Sequence, residues 1–312
     1  ILRRFLNREE DIQGAVDWFL TNERHLRSSS GGMQLGWIQT LNGVLLKDLY
    51  ARRMLCLEHK ALLQSWFKDM ERHLELRYDP GFYSQSIFDM RSQRLFCELE
   101  WQDFTKEELQ EQGEAIVSFV KAFSDIHTSH LGAAYKVAAK VSPPEAALVY
   151  LEAEHAIYTS LHIEIPQSES LDSVCSRLSM LCRNQLKDYE GALHWAKESL
   201  HWAEQAQQQG LMVEIGTNHY YVGTALMEME RHEEAAKAFQ RALDQWKPNS
   251  DGMKYRIAVT NMNRGASQIK AGMPEGKQTL QEAIDALESQ ELKPLVSSTN
   301  ASRIEEMKQL LD

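Results

Sequence analysis

His194, Glu198 and His201 fall at i, i+4 and i+7. On a helix they share a face, and two imidazoles with a carboxylate are a set that zinc accepts. The spacing departs from H-E-x-x-H, no further ligand is identifiable, and Trp195 and Trp202 flank the run, which is the pattern of a packed helix edge. Glu152, Glu154, His155 and His162 form a second polar group that a solvated helix face explains. The four cysteines, Cys56, Cys97, Cys175 and Cys182, include no C-x2-C pair and are too few for a disulfide scaffold, so they read as free thiols in a reducing cytoplasm. The chain has no G-x-G-x-x-G, no phosphate-binding loop and no G-x-S-x-G. The residues therefore predict a protein that is not an enzyme and uses no metal or cofactor. What they could position has to be read from the elements that carry them.

Those elements are helices. Only 7 of 312 residues are Pro, and no Val/Ile/Thr-rich alternation marks a strand. Residues 216–249 hold two apolar-periodic runs on either side of the polar join Glu230-Arg231-His232-Glu233. Val222, Ala225, Leu226 and Met229 share one face; Ala235, Ala238, Phe239, Ala242 and Leu243 share another. A short polar join between such runs makes an antiparallel helix pair whose apolar stripes need neighbours. The Ala235-Phe239-Ala242 pattern returns at Ala146-Tyr150-Ala153, Ala192-Ala196-Ser199 and Gly276-Leu280-Ala283, at intervals of 46, 43 and 41 residues. Turn signals precede each: Pro143-Pro144, Asp188-Tyr189 and Gly272-Met273-Pro274. The N-terminal part shows helical runs over 1–27 and along 35–74, a stop at Asp79-Pro80-Gly81, and a Thr105/Glu108 capping box, but no clean repeat signature, so it reads as degenerate repeats or a separate helical bundle. The expectation is an all-α chain, above ~65% helix against the usual third, with an N-terminal helical region over 1–126 and repeated hairpins over 127–312 closed by a terminal helix from Ser302.

The hairpin over 216–249 resembles the tetratricopeptide repeat (TPR), whose pattern is W-x2-L-G-x2-Y, then A-x3-F, then P. His219-x2-Val222-Gly223-x2-Leu226 stands for the first part, with the Trp and Tyr slots altered. Ala235-x3-Phe239 and Pro248 match the rest, and Leu131-Gly132-x2-Tyr135 repeats the opening. The resemblance implies an α-α superhelix of antiparallel hairpins that binds a protein or peptide on its concave wall, as an adaptor or scaffold. Aligning Gly132, Gly223 and Gly265 aims Ser129, Ala133 and Lys136, then Tyr220, Thr224 and Met227, then Met262, Ala266 and Ile269 at that wall. A further repeat offers Arg177 and Asn184. The elongated repeats also resemble those of signal-sensing TPR arms. In such arms an Asn two before the helix Gly grips a peptide backbone; Asn263 matches that position, and Tyr221 fills it in the neighbouring repeat. Binding candidates are therefore Ser129, Lys136, Arg177, Asn184, Tyr220, Tyr221, Thr224 and Asn263. The net charge of −11 argues against nucleic acid as a partner. No ~18-residue apolar run and no signal peptide point to a membrane or export, which leaves a cytoplasmic expectation.

Overall fold

The computed structural model describes residues 80–101, 103–122, 128–163 and 166–311, together with positions 60, 61, 64, 65, 67 and 68. The helices expected over 1–27 and along 35–74 lie outside the described residues, apart from those six positions. Eleven α-helices carry the described chain: α1 (Pro80–Trp101), α2 (Lys106–Ala122), α3 (Thr128–Val141), α4 (Pro144–His162), α5 (Ser168–Leu181), α6 (Tyr189–Gln208), α7 (Ile215–Glu228), α8 (His232–Gln245), α9 (Asp251–Lys270), α10 (Gly276–Glu288) and α11 (Ser298–Lys308). Among the described residues there is no strand. The fold is all-α, with helices that pack on their neighbours in sequence. The chain divides into two compact units between Ile157 and Tyr158, inside α4.

In the first unit Pro80 opens α1, where a missing N–H goes unnoticed. The capping box ahead of α2 forms as the sequence predicts: Thr105 Oγ1 accepts from Glu108 N (3.1 Å), and Glu108 Oε2 accepts from Thr105 N (2.8 Å). Leu109, Ile116, Val117 and Val120 of α2 then pack with Phe88 and Leu95 of α1 and with Ala134, Val137 and Ala138 of α3. In α4 the buried residues are Ala147, Leu151 and Glu154, each one position after the Ala146, Tyr150 and Ala153 that the repeat pattern predicts. The apolar stripe of α4 is wide enough for either register, and packing selects the later one.

The second unit is a stack of three hairpins, α5/α6, α7/α8 and α9/α10, each packed on the next through α6/α7 and α8/α9. A π-helical turn, Cys182–Leu186, and a left-handed Lys187 (φ 57°) close α5. Asp188 caps α6, its carboxylate accepting from Gly191 N at 2.9 Å. The predicted slots are filled as expected: Ala192, Ala196 and Ser199 have no exposed surface, and neither do Ala235, Phe239 and Ala242. Leu280 and Ala283 are buried likewise. Ala236, which the periodicity leaves to one side of this contact, is also buried, because α8 is flanked by α7 and by α9. Ser297 caps α11, which begins four residues ahead of the expected Ser302 and buries Ile304 against the α9/α10 core.

Candidate functional site

Two glycines set the approach of the hairpins' first and second helices. A Cβ on Gly223 would lie 2.7 Å from the Phe239 ring, and a Cβ on Gly265 would lie 2.6 Å from the backbone N of Leu280. With those faces turned to α8 and α10, the opposite stripes of α7 and α9 come together. Met227 and Glu228 of α7 and Ala266, Ser267 and Lys270 of α9 line a half-open cavity of about 640 Å³ that is flanked by Asn300, Arg303, Glu306 and Met307 of α11.

Asn263, one turn before Ser267 on α9 and behind the cavity lining, has no exposed surface, and neither its side-chain oxygen nor its nitrogen has a hydrogen-bond partner among the described residues. Ser267, one turn further along the same stripe, is equally buried and its hydroxyl is equally unpartnered. A buried amide with no partner destabilises the fold by about 1–3 kcal/mol. Such groups are rare in native interiors and point to a use.

The other sequence candidates are placed as follows. Tyr221 is half-buried; burial pushes its phenol above the usual range, against the opposing pull of Arg256. Thr224 is buried and donates to the carbonyl of Tyr221 at 2.9 Å. Tyr220 turns instead toward its own hairpin partner, its ring 5.8 Å from Phe239 and 6.4 Å from Trp246. Met262 and Ile269, also aimed at the wall by the glycine alignment, pack in the α9/α10 core. The inward stripe is therefore Asn263, Ala266, Ser267 and Lys270, rotated by about one residue from the alignment. Arg177 is half-buried on α5, and Asn184 lies exposed in the π turn, where its Oδ1 accepts from Arg183 Nε at 2.9 Å. Lys136 is exposed on α3 in the other unit. Ser129 sits in the first turn of α3, with its side chain outside the described residues.

The structure also shows a polar cluster that the sequence reading missed. Ser199 Oγ donates to Asp172 Oδ1 (2.7 Å), and Asn218 Nδ2 donates to the same oxygen (2.6 Å) and to Ser199 Oγ (2.5 Å). Ser176 and Ser199 hydroxyls lie 2.8 Å apart. The cluster joins α5, α6 and α7. Its one visible signal is Ser199, a hydroxyl in a slot that elsewhere holds Ala. Burial raises the Asp172 pKa, with the Ser199 and Asn218 hydrogen bonds pulling it down by less. A carboxyl raised in the fold stabilises below its ordinary pKa, and that contribution is lost as pH rises through the raised value. Asp172→Asn keeps the Oδ1 acceptor and removes the titration. The expected result is that urea midpoints of the wild type, taken relative to Asp172→Asn, fall as pH rises from the ordinary Asp value through the raised one. A difference that is constant with pH would place the charge outside this cluster.

The polar groups first considered for chemistry lie elsewhere. His194 rests against Trp195 (4.9 Å between centroids) and His201 against Trp202 (5.1 Å). Among the described residues no three His, Cys, Asp or Glu side chains are gathered to hold a metal ion. Cys175 is fully buried, and burial pushes its thiol up to about 12, far from a nucleophile's range. Among the described residues no helix is long and apolar enough to cross a membrane.

Fold and face together define a helical-repeat-like protein built of sequentially packed hairpins. No family model matches the sequence, and no curated protein matches it. Among solved structures, the chain is similar to BtubC (BKLC) from P. vanneervenii, with a TM-score of 0.59 over 81% of this chain and 92% of that one. The two are 13% identical, so the likeness is one of fold.

Proposed function

We propose that this chain is a non-enzymatic, TPR-like binding module that takes a polypeptide on the face of α7 and α9 and acts as an adaptor. The observation that carries this reading is the buried, unpartnered Ser267 hydroxyl in the cavity lining, with the wholly buried Asn263 amide, unpartnered at both polar atoms, one turn behind it on the same helix. A peptide backbone offers one donor and one acceptor per residue, which is the complement of a carboxamide. The cavity lining is thioether, hydroxyl, amide and mixed charge, which suits a polypeptide better than a small apolar ligand. A cytoplasmic setting belongs to the same proposal and is supported by the low cysteine count, four in 312 residues with no C-x2-C pair. A net charge of −11 favours protein over nucleic acid as the partner.

The test is a selection of displayed 12-residue peptides on the immobilised chain, followed by titration of the winners. Asn263→Ala is expected to weaken them by about tenfold, the equivalent of one or two hydrogen bonds of ~1 kcal/mol each. Its melting temperature is expected to hold or rise, because the substitution removes an unpartnered buried amide. A melting temperature that falls while affinity stays constant would make Asn263 a structural residue and sink this reading of the face.

A further inference from the structure

The terminal helix does not stack on the last hairpin as α7 stacks on α6 or α9 on α8. Asn300 of α11 donates to Tyr255 Oη of α9 (2.5 Å), and Arg303 Nη2 reaches Met227 Sδ of α7 (4.0 Å). One short helix thus packs on α10 and also touches the first helices of two successive hairpins, so it lies over the end of α9/α10 and reaches back to α7. Its seat is shallow: Ile304 is the one buried side chain among its described residues, with Met307, Leu310 and Leu311 half-buried against the α9/α10 core and Asn300, Arg303 and Lys308 half-buried beside them. Its ion pairs, Lys308 with Glu288 (2.7 Å) and with Glu305 (2.9 Å), join part-exposed to exposed side chains, where such pairs contribute little. Beneath it lies the cavity of about 640 Å³, lined by the unpartnered Ser267. The hairpin cores below, with Phe239, Met262 and Leu280 at zero exposure, are packed to a different standard.

We propose that the face of α7 and α9 is a groove for a short amphipathic helix and that α11 is its built-in occupant. The partner it fits is a helix with the pattern α11 itself presents: an amide, an arginine, an Ile and a Met at the spacing of Asn300, Arg303, Ile304 and Met307. These positions follow i, i+3, i+4, i+7, so one stripe meets the groove. The occupant's presence lowers the apparent affinity for any partner by the fraction of time the groove stands open. This inference rests on the reading of the face as a polypeptide site and adds what shape of partner it takes and what controls access.

The probe is a fluorescent peptide carrying residues 297–312, SSTNASRIEEMKQLLD, titrated by anisotropy into the full chain. Wild type is expected to bind it weakly, because the same helix already competes from within the molecule. Ile304→Asp in the full chain loosens the built-in helix and is expected to bind the peptide at least tenfold more tightly. Ser267→Trp added to Ile304→Asp fills the groove and is expected to abolish that gain. In wild type, hydrogen exchange of the amides of α11 is expected to be at least a hundredfold faster than that of α9. If Ile304→Asp loses helix content, the double substitution Asn300→Ala and Arg303→Ala takes its place. A folded, loosened variant that binds the peptide no better than wild type overturns the proposal, and so does α11 exchange as slow as that of α9. The two readings also fail separately. Binding of this peptide without any displayed peptide being selected leaves the groove and removes the external partner. Selected peptides whose affinity ignores the loosening of α11 keep the partner and remove the built-in occupant.

Discussion

Gly265→Ala is expected to cost about 3 kcal/mol, the top of the range for overpacking a core contact, and to lower the urea midpoint of the second unit accordingly. The added methyl would stand 2.6 Å from the backbone N of Leu280, 2.8 Å from its Cα and 2.9 Å from its Cβ. All three distances are shorter than real contacts, and the first two are to main chain. Helix α10 cannot turn a side chain away; it has to move as a body. Its movement strains a core in which Leu280, Ile284 and Leu287 are fully buried. Gly223→Ala is the informative control. There the methyl's three nearest atoms all belong to the Phe239 ring, the closest at 2.7 Å, and a ring can tilt. The expected loss at Gly223 is about half as large. Equal losses at the two sites would mean that both helix pairs yield in the same way, and that main-chain contact is not what limits the α9/α10 approach.

Tyr220→Ala is expected to lower stability by about 2 kcal/mol, short of a full core truncation because the ring is half-buried, and the melting temperature by roughly 4–8 °C for a unit of this size. The ring sits among Tyr221, Phe239 and Trp246, at centroid separations of 6.1, 5.8 and 6.4 Å, which are distances at which aromatic pairs attract. Removing it opens space beside Phe239, the largest side chain in the unit with no exposed surface. The near-ultraviolet circular dichroism of Trp246 should weaken in the same variant. Tyr221→Ala, one residue on, is expected to be milder, about 1 kcal/mol, because that ring is not held by Phe239 and Trp246 in the same way. A Tyr220→Ala protein that melts with wild type but loses peptide affinity would return Tyr220 to the binding face.

Much of the fold was legible in the sequence because the signals are local. Thr105 and Glu108 cap α2 through atoms three residues apart, Pro144 starts α4 by its fixed backbone angle, and the Asp188 carboxylate caps α6 through an amide three residues on. The slots at Ala192, Ala235 and Gly276 follow from a 3.6-residue period, which states which stripe of a helix meets its hairpin partner. That period describes one contact, whereas a helix inside a stack has two or three. Ala236 is buried as Ala235 is, because α8 packs on α7 and on α9, and nothing in the spacing of α8 announces the second neighbour. The inward stripe of α9 falls on Asn263 and Ser267 because the backbone of Leu280 closes on Gly265 from one side, and a step of one residue is about 100° of rotation. The Asp172–Ser199–Asn218 cluster draws on residues up to 46 apart, and only the stacking of α5, α6 and α7 makes them neighbours. The path of α11 is of the same kind. Its helical period and its Ser297 cap are written in its own residues, but Arg303 reaches Met227 across 76 positions of chain, and no local preference encodes a turn back over α9. Local chemistry determined where each helix begins, ends and presents its apolar stripe; the remaining faces were decided by which neighbours could approach closely enough to bury them.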